Sequence, residues 1–325
     1  MRLPLERGPI SRHVIATLTS IDETPPIEVG RAPVIESHDA QLALWILYEL
    51  YYRGFENVPV DREWDLGLIR LRRALERRFE QELREAVRPL LSAVDGRGDV
   101  ADQLFELIAA DDGPSTASFL HREASREQVL DYLRERSVQQ LKESDPQSFV
   151  LPRIGGPAKV ALAELQYDEY GGGRPDRLHA TMYADALTAA GLDADYGAYI
   201  DEVSAVSLAS ANVMSLFGLN RRLRGAAMGH LAAFEATSSV PCRKITVGIE
   251  RVGLPDRVAA YFDEHVEADA VHEQVATRDI CGAMVAEDPT LLDDVLFGAA
   301  SCLHLAALSG HELLQRWTTT MEAAS

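Results

Sequence analysis

Two histidines and an aspartate in the second half of the chain have the spacing of metal ligands on one helix. They form the segment His265-Val-Glu-Ala-Asp269-Ala-Val-His272. Because an α-helix turns by about 100° per residue, positions i, i+4 and i+7 fall within an arc of roughly 60°. The segment could therefore hold a metal ion, or it could be a solvated helix face that carries two histidines by chance.

Further acidic residues and a histidine could complete such a site. Glu169 and His179 flank the run Gly171-Gly172-Gly173, and each glycine costs roughly 1 kcal/mol relative to alanine inside a helix. The run indicates either a segment that needs a flexible backbone or a simple connection between two helices. Glu235 lies in an apolar helical pattern, where an unpaired carboxylate is costly, and this favours a ligand over a satisfied core acid. Glu143 ends a helix of ordinary surface charges, so composition alone places it on the surface.

Composition limits the class of protein and of partner. The chain has 325 residues, of which 46% are hydrophobic and 26% charged, enough for the core of one large domain or two small ones. No apolar run reaches the roughly 18 residues that span a bilayer, and the N-terminal residues do not resemble a signal peptide. We therefore expect a cytoplasmic protein. The net charge of −19 disfavours nucleic acid and membrane partners and could favour a small cationic substrate.

Common cysteine and nucleotide motifs are absent from the sequence. Cys242, Cys281 and Cys302 are widely spaced without a CxxC pair, which predicts small buried residues rather than disulfides or a thiolate zinc site. No GxGxxG motif follows a predicted strand, so we expect no flavin or nicotinamide module in this sequence. Electrons for a redox reaction would have to come from an external donor or from the substrate.

Apolar residues recur at steps of three and four from residue 38 onward, which predicts an all-α fold. Residues 1–37 contain five prolines without a sustained helical period and are interpreted as an irregular N-terminal arm before a single helical domain, 38–325. Ser125 is a predicted N-cap, and residues 242–252 could form a short strand or a helix. Helices are predicted over 39–55, 61–87, 99–110, 125–144, 158–170, 176–190, 194–216, 219–238, 255–286 and 290–318.

The ligand spacing and the segment DEYGGGRP at 168–175 resemble the haem-oxygenase-like diiron oxidases, also called iron-containing redox enzymes. The likeness is greatest to the N-oxygenating, nitrosourea-forming branch of that family, and it runs from about residue 40 to 318. It implies about seven core helices, auxiliary N-terminal helices, and two irons in place of haem. The ligand set that the resemblance implies is Glu143, Glu169, His179, Glu235, His265, Asp269 and His272.

The resemblance also implies a reaction. Such a protein would be a non-haem diiron monooxygenase that uses Fe(II)/Fe(III), O2 and an external reductase or reductant. The expected reaction is N-oxygenation of an amine, guanidine or aminoimidazole on a small arginine-like substrate, which gives a hydroxylamine or nitro product in natural-product biosynthesis. Alternatives are oxidative C–C cleavage or desaturation of an amino acid or fatty acid, and a non-enzymatic metal-binding helical protein. A homodimer is also expected.

Four carboxylates in this set would balance the four positive charges of two Fe(II) ions. The remaining histidines fit less well. His230 lies five residues before Glu235 and points about 140° away from it on a helix. His304 and His311 lack a carboxylate at ligand spacing and are interpreted as core or surface residues. Pocket neighbours nominated for their proximity to ligands, with core packing as the alternative, are Tyr167, Met182 and Phe234.

Overall fold

The structure is a computed structural model that describes residues 1–20, 25–30 and 32–324, with the backbone alone at 267, 269, 270 and 320–324. No β-strand occurs in these ranges, and the prediction of an all-α fold is confirmed. The α-helices are α1 (Pro9–Thr19), α2 (His38–Glu49), α3 (Leu66–Ala86), α4 (Arg88–Leu91), α5 (Val100–Ala109), α6 (Thr116–Arg122), α7 (Arg126–Gln140), α8 (Asp145–Ser148), α9 (Gly156–Glu169), α10 (His179–Ala189), α11 (Ala205–Leu219), α12 (Arg224–Ala236), α13 (Ser239–Arg251), α14 (Asp256–Gln274), α15 (Ala283–Glu287) and α16 (Leu292–Ala324). Short 3-10 segments cover Val60–Trp64, Leu151–Arg153, Pro175–Arg177, Arg221–Leu223 and Pro289–Leu291, and a π-helical segment, Val275–Gly282, follows α14.

Several helix boundaries agree with the sequence pattern. Ser125 caps α7 in a capping box with Gln128, as its side chain accepts a hydrogen bond from the Gln128 amide. Residues 242–252, for which the pattern left strand and helix open, lie mainly in α13. Residues 194–204 are not helical, although a helix was predicted from 194. Gly197 adopts φ 86°, and Ser204 caps α11 only at its true start.

The interpretation of the N-terminal arm as irregular is wrong for α1. This helix begins with Pro9 at its first position, where the missing N–H costs nothing. Its first turn is capped by a residue distant in sequence, because both Asp39 carboxylate oxygens accept hydrogen bonds from the Ile10 and Ser11 amides at 2.9 and 2.7 Å. A cap supplied by another helix leaves no local signal in the sequence. Residues 21–24 and 31 of the arm lie outside the described residues.

Two buried apolar clusters form the core. The larger one surrounds α2, whose residues from Ala40 to Glu49 are all buried, as expected for a helix that is apolar all round. Helices α9, α11, α12 and α16 also contribute to it. The smaller cluster lies between α6, α10, α13 and α14, and α7 contributes to both. The helices that carry the predicted ligands therefore meet where the two clusters adjoin.

Glycines allow α12 and α16 to approach each other closely. A Cβ atom on Gly229 of α12 would lie 1.8 Å from the Val295 carbonyl oxygen, and one on Gly298 of α16 would lie 1.9 Å from the Ala226 oxygen. Because the obstructing atoms are backbone, no side chain can move aside to accept a larger residue. This contact fixes the position of α12, which carries Glu235 near its end.

A buried ion pair fixes the turn after α7. Lys142 Nζ donates to Glu49 Oε1 at 2.6 Å, and the Tyr196 hydroxyl donates to the same oxygen at 2.6 Å. Both charged side chains are at most 2% exposed, so loss of either partner would leave an unpaired buried charge. The pair thereby holds the residue next to Glu143 against α2.

One segment within the described residues, Pro289–Thr319, is long and apolar enough to cross a membrane by length and composition. The expectation that the sequence contains no apolar run of this length is therefore wrong for this segment. Half of its most apolar window is buried inside the protein. Helices in the core of a folded domain pass the same test, and its close packing on α12 accounts for the apolar composition.

We predict that Gly229→Ala and Gly298→Ala each lower the free energy of unfolding by at least the ~1–3 kcal/mol typical of an overpacked core. Urea unfolding followed by circular dichroism measures this change. Gly282→Ala is the matched control, because its Cβ would lie 3.7 Å from the nearest atom, an ordinary contact. Wild-type stability in the Gly229 and Gly298 variants would show that the two helices can separate without cost.

Candidate metal centre

Six of the seven predicted ligands come together in the interior. They come from five places in the fold: the turn after α7, the last residue of α9, the first residue of α10, the end of α12, and α14, which supplies two. All six are buried. These residues are Glu143, Glu169, His179, Glu235, His265 and His272.

The six side chains form two groups with the donors of a metal site. Glu143, His179 and His265 each offer one ligand atom, and these atoms lie within 4.8 Å of one another. Glu169, Glu235 and His272 form a second such group, to the same limit. Mixed carboxylate and imidazole donors without thiolate are typical of non-haem iron.

Glu169 connects the two groups. Its Oε2 atom lies 3.0 Å from His179 Nδ1 in the first group, and its Oε1 atom lies 3.4 Å from His272 Nδ1 in the second. One carboxylate thus presents one oxygen to each group. This is the arrangement that a carboxylate shared between two metal ions requires.

Asp269 lies on α14, four residues after His265 and three before His272. Its side chain is outside the described part of the chain, so its role as a ligand stays a prediction. The ligand roles of the other six residues also stay predictions, although the structure now gives their positions.

The orientation of His265 is set by a backbone contact one turn earlier. Its Nδ1 atom lies 2.7 Å from the Tyr261 carbonyl oxygen. A carbonyl can only accept, so Nδ1 carries the proton and donates it. The Nε2 atom faces Glu143 Oε1 at 3.7 Å. Backbone carbonyls commonly fix the tautomer of a metal-binding histidine in this way.

Asp168 is placed to orient His272 from the outer side. Its Oδ2 atom lies 3.5 Å from His272 Nε2, while Nδ1 of the same ring faces Glu169 and Glu235. The Asp168 side chain is 55% exposed. An outer carboxylate behind a metal-binding imidazole raises the basicity of the ligand. Asp168 is not among the residues predicted from the sequence, although it directly precedes Glu169.

Hydroxyl groups support the carboxylates. The Tyr261 hydroxyl donates to Glu143 Oε2 at 2.7 Å, and the Ser144 hydroxyl donates to Glu169 Oε2 at 2.9 Å. Ser144 has φ 68°, a left-handed conformation that is uncommon for a non-glycine residue. These two residues are also not among those predicted from the sequence. Only their positions could have indicated them, since Ser144 follows Glu143 and Tyr261 lies one turn before His265.

Proximity of charges shifts the pKa values of the second group. Burial alone would raise the pKa of Glu169, but His179 and His272 outweigh it and the pKa is lowered. Burial raises the pKa of Glu235. Burial would also lower the pKa of His272, but its interactions with Glu169 and Glu235 raise it to about 11. Without metal, the His272 imidazole therefore carries a proton that offsets the charge of the neighbouring carboxylates, and a bound cation would replace that proton.

The residues present fit a divalent metal. His272 Nδ1 is buried, and it lies 3.4 and 3.5 Å from two carboxylate oxygens without the geometry of a hydrogen bond to either. A cation between these atoms would satisfy all three. A cavity of about 20 Å³ borders Glu143, Glu169 and Glu235, which is enough for one small molecule of the size of water.

The glycine run forms the rim of an opening to this centre. Gly171, Gly172 and Gly173 all have positive φ, and a Cβ on Gly171 would lie 2.3 Å from the Arg174 carbonyl oxygen. The run therefore needs glycine for its backbone conformation, and it also connects α9 to α10. A surface groove of about 550 Å³ reaches from Gly171 and Gly172 to His179 and His272.

The other histidines and the predicted pocket neighbours have different environments. Burial lowers the pKa of His230 to about 4, and neither it nor His304 belongs to a group of metal-binding side chains in the described structure. Tyr167 is exposed and donates to the Gly172 carbonyl oxygen, and Met182 packs against the smaller apolar cluster. Phe234 borders both the 20 Å³ cavity and a larger one.

Comparison with known proteins identifies relatives over part of the chain. A nitrosourea synthase from Streptomyces achromogenes subsp. streptozoticus is 28% identical over 145 residues, which cover 45% of this chain and 31% of that protein. The matched region thus spans less than a third of the relative. Two crystal structures of a CADD-like protein of unknown function from Nostoc punctiforme align with TM-scores of 0.48. They share 17% and 16% identity and cover 73% and 74% of this chain, and 98% and 97% of theirs.

The sequence profile of a family described as iron-containing redox enzymes matches residues 130–307, more than half of the chain. The match includes all seven predicted ligands, and it confirms both the family resemblance and the haem-oxygenase-like helical fold. The protein belongs to the family of iron-containing redox enzymes.

Proposed function

We propose that this protein is an O2-dependent non-haem diiron oxygenase that oxygenates a nitrogen atom of a small amino-acid-derived substrate. The observation that carries the proposal is the pair of buried carboxylate and imidazole groups that share Glu169. Membership of the iron-containing redox enzymes supports iron as the metal. A stoichiometry of two ions per chain follows from the two groups.

Bound iron would supply the site at which O2 is bound and reduced. The residues of this chain hold and shield that site. Glu169 joins the two groups, while the Tyr261 carbonyl and the Asp168 carboxylate orient His265 and His272. The Tyr261 hydroxyl holds a proton at Glu143. Burial of all six described ligands keeps bulk water away from the reacting atoms.

N-oxygenation is proposed from similarity. The segment around Glu169 resembles the N-oxygenating members of the family, and a curated relative is a nitrosourea synthase. Its alignment covers 31% of that protein, so the substrate and the full activity are proposals for this chain. We further propose a hydroxylamine or nitro product, an external electron donor, a cytoplasmic location and a role in natural-product biosynthesis.

Anaerobic titration is expected to show about two Fe(II) per chain, measured by metal analysis after removal of unbound iron. Glu169→Ala should lose iron from both groups, because one side chain faces both. Glu164→Ala is the matched control, an exposed glutamate on the same helix. Binding of a single ion by the wild-type protein, or full loading of Glu169→Ala, would contradict a shared carboxylate.

The loss of single ligands should abolish turnover and leave the fold intact. We expect His265→Ala and His272→Ala, and Asp269→Ala on the same predicted face, to form no product while the helical circular dichroism signal is retained. Product is measured by mass spectrometry at fixed iron and reductant concentrations. His311→Ala, which alters an exposed histidine outside both groups, should keep its activity. Activity in all three ligand variants would contradict a role of this helix face in the reaction.

The reaction itself is tested with isotopically labelled O2. With iron and an external reductant, arginine-derived amines, guanidines and aminoimidazoles should yield a hydroxylamine or nitro product that contains the label. Desaturated or chain-cleaved products would instead assign the protein to the alternative reactions of this family. Full iron loading without consumption of any substrate in the panel would favour a metal-binding protein without catalytic activity.

A further inference from the structure

A cavity of about 250 Å³ adjoins the first group of predicted ligands. His265 and Tyr261 form part of its wall on the side of the metal centre, and Phe234 separates it from the 20 Å³ cavity beside the carboxylates. The volume is slightly below the ~300 Å³ at which pockets for drug-sized ligands begin. It therefore suits a small metabolite whose reacting end points toward His265.

The charge of this cavity is opposite to that of the whole chain. Although the chain carries a net charge of −19, none of the described residues that line the cavity is an aspartate or glutamate. Arg136 is the one lysine or arginine among them. His230 also lines the wall, but burial lowers its pKa to about 4, so it is neutral at physiological pH. The cavity therefore offers a single fixed positive charge.

Arg136 lacks the direct carboxylate partner that Lys142 and Arg316 have. Lys142 pairs with Glu49 at 2.6 Å, and Arg316 pairs with Glu135 at 2.9 Å. Among the described residues Arg136 makes no ion pair, and its hydrogen bond to Gln140 Oε1 is 3.5 Å long. A buried guanidinium without a direct ion pair is costly, and Glu143 compensates for it only from beyond ion-pair distance. A ligand that brings a carboxylate into the cavity would remove this cost.

Arg136 and the metal centre are connected along one side of α7. Gln140 follows Arg136 by one helical turn, and its amide donates to the Tyr261 hydroxyl at 2.7 Å. That hydroxyl in turn donates to Glu143. The cavity wall thus runs from the guanidinium, past Gln140 and Tyr261, to the ligands of the first group. A molecule held at Arg136 by one end would extend toward His265 with the other.

We propose that Arg136 binds the carboxylate of the substrate, and that the substrate is a small carboxylic acid, with an amino acid as the best fit. The planar guanidinium can donate two parallel hydrogen bonds to a carboxylate. A zwitterion such as arginine would place its carboxylate at Arg136 and its cationic nitrogen near the acidic metal centre. Which end of the substrate reacts rests on the proposed function. Binding of its carboxylate at Arg136 does not require turnover.

Calorimetric titration with matched ligands tests this assignment. The protein is titrated without metal, and again with Fe(II) under anaerobic conditions, with L-arginine, L-argininamide and agmatine, which lacks the carboxylate. Octanoate and octanamide form a second matched series without an amino group. We expect wild-type protein to bind L-arginine at least tenfold more tightly than the amide and agmatine. If the protein prefers the acid over the amide only in the octanoate series, Arg136 still binds a carboxylate. The substrate class is then a simple aliphatic acid.

Substitutions in α7 test whether Arg136 itself binds the carboxylate. Arg136→Met should lose the preference for carboxylates, and Arg136→Lys, which keeps the charge but not the forked donor, should retain part of it. Arg126→Met is the matched control, an exposed arginine at the start of the same helix. Equal binding of acids and amides to the wild-type protein overturns the proposal even if Arg136→Met does not fold. A preference that survives in folded Arg136→Met also overturns it. Failure to bind iron would reject the diiron function but leave the metal-free comparison intact.

Discussion

The enclosure of several carboxylates beside three imidazoles in a helical interior is the constraint on which the rest of this structure depends. A buried carboxylate without a partner would destabilise the fold. Here Glu169 lies against His179 and His272, and Glu143 accepts from the Tyr261 hydroxyl. Protonated His272 offsets part of this negative charge without metal, and bound cations would do so with metal. The fold must therefore hold side chains from five helical segments at contact distance.

Close backbone contacts, more than the packing of the apolar core, hold these side chains in position. Gly229 and Gly298 bring α12 against α16, so the end of α12 that carries Glu235 has little freedom to move. The pair of Lys142 and Glu49 fixes the turn next to Glu143. The glycine run after Glu169 has the opposite effect, because it opens a groove beside His179 and His272. The metal centre is thus rigid on one side and reachable from the surface on the other.

The interior has two regions of different electrostatic character. The metal centre is rich in carboxylates, whereas the adjoining cavity contains Arg136 and no acidic residue among those described. Overall charge is therefore a poor guide to the ligand of this protein, because the acidic residues on the surface do not line the cavity. A molecule with charges of both signs would match both regions, which connects the proposed N-oxygenation to an amino-acid substrate.

The sequence by itself determined the all-α class and the shared face of His265 and His272, because helical periodicity is a local property. Similarity to a family identified Glu143, which its surroundings in the sequence would assign to the surface. Only the tertiary structure showed α1, whose cap is Asp39 from another helix, and the supporting roles of Asp168 and Tyr261. It also showed that Arg136 faces a cavity without a carboxylate. Caps, paired charges and cavities arise from residues far apart in the chain, so their spacing in the sequence does not reveal them.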